Sequence, residues 1–181
     1  MIDVILYSVL NTLVACLVIG GIALLIWKII IDRRTKKVIE LINSDAWNNE
    51  GTNNPVVDLY VSIGRKCEWG KYIDLLNEEE KIVFFLMYMD GEVNNGGYEQ
   101  YFLEGHAKYA QDTQNALKTI GADKLALITQ RAIKAYEEKD YDLLCKLSDE
   151  YYEQEYPRHP DVLYELLYKY VTDNKEKFIR E

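Results

Sequence analysis

Between Val4 and Trp27 the chain has no charged side chain, and its only clearly polar ones are Ser8, Asn11 and Thr12. The run is 24 residues long, roughly 36 Å of helix at about 1.5 Å per residue. A hydrocarbon core of roughly 30 Å needs about 20 such residues, so the segment is expected to span a membrane once, with some tilt. Trp27 and Lys28 suit the interface, the ring lying at headgroup depth and the ammonium reaching outward. Only Met1, Ile2 and Asp3 precede the run, so it lacks the basic start of a cleaved signal peptide. Arg33, Arg34, Lys36 and Lys37 follow it, and such clusters stay in the cytoplasm. The expected placement is a single-pass helix of the cell inner membrane, with the N-terminus outside and the rest of the chain in the cytoplasm.

Residues 1–37 hold two acids against five bases, which leaves −12 on the remaining 144 residues although the whole chain carries only −9. A body so acidic has no positive field with which to gather phosphates, so direct nucleic-acid binding is not expected and a basic partner is. Three cysteines, one of them inside the apolar run, fit a reducing compartment better than a disulfide framework.

After the anchor (1–37), residues 38–53 read as a helical extension and linker, and 54–181 as one acidic domain. Asn54 caps and Pro55 opens a helix on which Val56, Leu59, Tyr60, Ile63 and Cys67 keep the 3.6-residue period. Asn77 with Glu80 resembles a capping box, and the helix it starts is expected to run to about Met89. Further helices follow from Ala110–Ile120, Leu125–Tyr136 and Val162–Val171, with Gly121 dividing the first two. No strand-turn-strand signal occurs. The expected fold class is all-α, about six helices in one compact domain behind the anchor.

The stretch from Glu92 to Phe102 holds Asn94, Asn95, Gly96 and Gly97 between helical segments, residues that tolerate positive φ and close approach. It reads as a tight interhelical corner. Glu92, Asn94, Asn95 and Gln100, with His106 nearby, could alternatively line a polar pocket for a small molecule or a hydrolysis. No phosphate loop, metal spacing or nucleophile arrangement occurs, so no catalytic residue, metal or cofactor is assigned.

From Tyr72 to about Asn174 the chain resembles an all-helical domain family typified by a bacterial DNA-mimic protein. The resemblance rests on Asn77-Glu78-Glu79-Glu80-Lys81 and on Gly91-Glu92-Val93-Asn94-Asn95-Gly96-Gly97-Tyr98-Glu99-Gln100-Tyr101-Phe102. It extends through Ala116-Leu117, Ile120-Gly121-Ala122 and Ser148-Asp149-Glu150-Tyr151-Tyr152. Glu104 stands where the family's asparagine is expected, and Tyr98 where phenylalanine is common. The resemblance implies a non-enzymatic protein, dimeric in its best-known member, whose carboxylates imitate duplex phosphates and occupy a DNA-binding protein.

The charges allow that reading. Glu137, Glu138, Asp140, Asp142, Asp149, Glu150, Glu153, Glu155 and Asp161 are opposed within their stretch only by Lys139, Lys146 and Arg158. Glu137, Glu138, Asp142, Asp149, Glu150, Glu153 and Glu155 are the expected partner-binding set. On a helix, Asp149 and Glu153 stand roughly 6 Å apart along the axis, close to the spacing of phosphates on a strand. Eight of the fifteen tyrosines fall in residues 136–170, suiting either a recognition surface or the wet edge of a core. The sequence thus points to a membrane-anchored, non-enzymatic module that captures a basic partner, a DNA-binding regulator or a toxin, possible as a homodimer. A membrane scaffold is the further alternative.

Overall fold

The structure, a computed structural model, describes residues 20–33, 36, 55–155 and 162–178, and not the side chains of Glu104 and His106. The described residues are helical without a strand. Residues 4–19 of the expected span lie outside them. Residues 20–33 form helix α1, on which Leu24, Leu25 and Ile26 are more than half exposed. Among the described residues no helix is long and apolar enough to cross a membrane, so the transmembrane expectation is not supported here.

The core among the described residues is drawn from Val56 to Phe178, and helices form at the expected starts near Pro55, Glu78, Ala110, Leu125 and Val162, with a further helix over Tyr141–Glu155 where no apolar period is read. Helix α2 (Pro55–Lys66) opens on its proline and buries Val56, Leu59 and Ile63 on one face. Helix α3 (Glu78–Tyr101) is the central strut and packs against α2 and α6 (Tyr141–Glu155) as well as α4 (Ala110–Thr119) and the short α8 (Lys175–Phe178). It runs past Met89, where the sequence suggested an end. Asp90 and Val93 are buried, and their packing carries the helix through Asn95 to a break at Gly96 and Gly97.

Gly121 (φ 83°) ends α4 in the left-handed conformation, with the Ala122 N–H returning to the Leu117 carbonyl at 2.8 Å. Helices α5 (Asp123–Glu138) and α6 (Tyr141–Glu155) make a hairpin around Lys139, which takes the same role at φ 59°. Asp140 then caps α6, its Oδ1 accepting the Leu143 N–H at 3.0 Å. Helix α7 (Val162–Asp173) covers α2 and α6 with Leu163, Leu167 and Val171.

The capping box foreseen at Asn77 is present and does more than start α3. Asn77 Oδ1 accepts the Glu80 N–H at 2.8 Å, and Glu80 Oε2 accepts the Asn77 N–H at 2.9 Å. The same buried carboxylate holds Lys66 Nζ of α2 at 2.6 Å, and Asn77 Nδ2 donates to the Lys177 carbonyl of α8 at 2.8 Å. Three helices are joined at one carboxylate and one amide. Replacing Glu80 by alanine removes the carboxylate that faces a largely buried ammonium and accepts the Asn77 N–H, so urea unfolding is expected to show a loss of about 3 kcal/mol. Alanine at the exposed Glu78 is expected to cost about 0.5 kcal/mol or less.

Candidate functional site

The corner of the Asn-Gly motif is a docking point for α6. Gly97 has φ 72°, and a Cβ built on it would meet Ser148 Oγ at 2.6 Å. That hydroxyl cannot simply turn away: it accepts the Tyr98 N–H at 2.9 Å and donates to the Leu144 carbonyl at 2.9 Å. Glycine is required at 97 both for the positive φ and for the approach. Asn94 and Asn95 are exposed, Glu92 is half-buried, and Gln100 Nε2 donates to Glu92 Oε2 at 3.3 Å.

Beneath the corner lies a layer of tyrosines whose hydroxyls are all engaged. Tyr98 shares a hydrogen bond with Thr129 Oγ1 at 2.8 Å, Tyr101 with Thr113 Oγ1 at 2.9 Å, and Tyr151 donates to Asp90 Oδ1 at 2.7 Å. Phe102 stacks on Tyr136 with centroids 4.5 Å apart. Burial raises the Tyr98 hydroxyl well above the ordinary value and pushes Tyr101 up to about 12. Tyr151 is raised by burial and then by the Asp90 carboxylate it faces. These groups stay neutral and structural across the physiological range.

The expected acidic set divides by role. Glu155 is a correction: it is 2% exposed, and its Oε2 accepts the Leu163 N–H at 3.0 Å, so it tethers the start of α7 and offers no surface. Glu150 is held by Arg131 through two 2.7 Å contacts. Glu138 lies 3.7 Å from Lys134. Glu137, Asp142, Asp149 and Glu153 are exposed and make no ion pair among the described residues. Spacings of seven and four residues place Asp142, Asp149 and Glu153 on one stripe of α6, roughly 40° wide and roughly 16 Å long. The buried Leu144, Leu147, Ser148 and Tyr151 occupy the opposite face, and Lys146 interrupts the stripe. The tyrosines of 136–170 are mostly core margin: Tyr136, Tyr152, Tyr164, Tyr168 and Tyr170 are half-buried against the core, and Tyr141 is the well-exposed one among those described.

Two cavities open elsewhere. One, of about 580 Å³, lies between Gly121–Leu125 and the end of α6 with Val162 and Leu166. The other, of about 450 Å³, lies between α3 and α4 over Ile82, Phe85 and Ala116. Neither is lined by Glu92, Asn94, Asn95 or Gln100. No group of three or more potential metal ligands occurs among the described residues. Sequence reasoning names Ser148 only within the family run and gives no role to it or to Asp90, Thr113 and Thr129, polar residues at buried helix positions. The signal available was their place on the apolar face of each helix, where a polar side chain must have a partner.

The chain's residues 74–181 match a family model described as DMP19-like protein. No curated protein and no solved structure matches the chain.

The buried tyrosines set a pH dependence. Their folded pKa values exceed the unfolded value near 10, so their contribution to stability is complete below about pH 10 and lost above it as the unfolded chain releases protons first. Stability followed by circular dichroism is expected to be flat from pH 7 to 9 and then to fall, by about 1.4 kcal/mol per pH unit for each buried tyrosine. A Tyr98→Phe variant is expected to show a shallower fall.

Proposed function

The chain belongs to the DMP19-like protein family through residues 74–181, and from that membership we propose a non-enzymatic protein-binding module whose acidic α5–α6 hairpin occupies the nucleic-acid-binding face of a basic partner. The carrying observation is where the free carboxylates stand. Neither α5 nor α6 has a basic residue in its last turn, and Glu137 and Glu153, which make no ion pair among the described residues, lie at or near those C-terminal ends. The helix dipole disfavours anions there. Carboxylates that oppose the dipole and lack a cation do not serve the fold; they serve a cation brought from outside. The family resemblance supplies the kind of partner, a DNA-binding regulator, and the negative field supplies steering toward it.

The apolar run Val4–Trp27, with the bases that follow it, supports holding this module at the cytoplasmic face of the inner membrane. The partner would then be sequestered at the bilayer, away from the chromosome. The Asn-Gly motif enters this reading as the corner that seats α6.

Replacing Asp142, Asp149 and Glu153 together by lysine reverses the stripe without touching a core side chain or the Glu150–Arg131 pair. Basic proteins retained by the wild-type chain from solubilised membranes are expected to be released by duplex DNA and by about 0.5 M salt. They are expected to be lost in the triple variant while its helical circular dichroism is unchanged. Retention that withstands both the reversal and duplex DNA contradicts the proposal.

A further inference from the structure

Helix α2 and the connection after it, up to residue 73, precede the family match, as the apolar N-terminal run does. This unit differs from the rest of the body in charge. Residues 55–77 hold three acids and three bases, whereas residues 78–178 hold 21 acids and 12 bases. It differs in exposure as well. Trp69, Tyr72 and Leu75 are 49%, 44% and 50% exposed within one short connection. Among the described residues of the body, the other exposed large apolar side chains, Leu103, Leu127 and Tyr141, stand on separate elements.

The backbone of the connection is built to hold this arrangement. Glu68, Trp69 and Gly70 are successive left-handed residues, with φ of 48°, 55° and 97°. For a tryptophan that conformation is costly and persists only when its surroundings enforce it. The Trp69 N–H donates to the Gly64 carbonyl at 2.7 Å, and Cys67 Sγ accepts the Gly70 N–H at 3.4 Å. The indole covers Gly64, where a Cβ would come within 2.6 Å of the ring, and meets Tyr60 edge-on at 5.6 Å. One side of the indole is thus fixed, and half of it is left outside.

We propose that this connection is a bilayer contact, with Trp69, Tyr72 and Leu75 entering the boundary between headgroups and acyl chains while Arg65 and Lys71 meet lipid phosphates. Tryptophan and tyrosine favour that depth because each has an apolar body and a polar tip. Lys71 is already positioned among them, its ammonium 4.6 Å over the Tyr72 ring and 3.0 Å from Glu68. Charge selects this side of the molecule. An anionic leaflet repels the acidic remainder, whereas the α2 unit is balanced and can approach. The inference rests on the anchoring reading above and adds to it an orientation: the body touches the bilayer through α2 and its connection, and its acidic excess is held off.

The test uses the full chain with Trp27→Phe and Trp47→Phe, so that Trp69 alone reports. It is reconstituted into phosphatidylcholine–phosphatidylglycerol vesicles, with or without bromine near the headgroup end of the acyl chains. The expected result is flotation with the vesicles and Trp69 emission reduced to about half or less by the brominated lipid. Flotation without quenching overturns the bilayer contact and leaves anchoring standing. Trp69 that is unquenched by bromine yet shielded from acrylamide also overturns it, in favour of a protein covering the patch. Failure to float removes the anchoring reading, and the contact with it.

Discussion

The contact between Gly97 and Ser148 is the constraint on which the body depends. It is a single hydroxyl at the point where α3 breaks and α6 crosses, and it accepts the buried Tyr98 N–H there. Because no side chain stands at 97, α6 comes close enough for Tyr151 to reach Asp90 and for Tyr98 to pack edge-on to Tyr151 at 6.0 Å. The tyrosine layer, the length of α3 and the rotation of α6 about its own axis all follow from that approach. The rotation matters for function: with Ser148, Leu144 and Tyr151 turned inward, Asp142, Asp149 and Glu153 are turned outward.

The structure therefore separates carboxylates that build from carboxylates that wait. Glu80 and Glu155 are buried and tie helix termini together, Asp140 caps α6, and Glu150 is committed to Arg131. Of those that remain exposed, Glu137 and Glu153 lie toward helix C-termini, where they oppose the backbone dipole, while Asp142 stands in the first turn of α6. A net charge cannot make this distinction; the position of each carboxylate on its helix can. Along the chain, the α2 unit is balanced in charge whereas the helices beyond it are acidic.

Much of this was legible in the residues. The start at Pro55, the capping box at Asn77 and Glu80, the stop at Gly121 and the all-helical class all rest on local chemistry, and the structure keeps them. The Asn-Gly corner is legible as a corner, but its partner is not: the place of Ser148 on the apolar face of its helix says that it needs a partner and not which one. The end of α3 was misplaced because Asp90-Gly91-Glu92 looks like an exit from a helix. The buried bond from Tyr151 to Asp90, 61 positions along the chain, overrides that look. Glu155 reads as surface in the sequence for the same reason: only the arrival of the Leu163 N–H shows it to be a cap. The tyrosines between 136 and 170 were ambiguous because composition does not say which face of a helix a residue occupies.

The measurement that bears most directly on this account is a double-mutant cycle between Gly97→Ala and Ser148→Ala, read as urea-unfolding free energies. Each single change is expected to destabilise, the first through strain and collision and the second by leaving the Tyr98 N–H without its acceptor. Removing the hydroxyl also removes the atom that the new methyl would strike, so the double variant is expected to lose at least about 1 kcal/mol less than the two singles combined. Losses that add to within about 0.5 kcal/mol would mean that the two residues do not meet, and the corner would not be what seats the acidic helix.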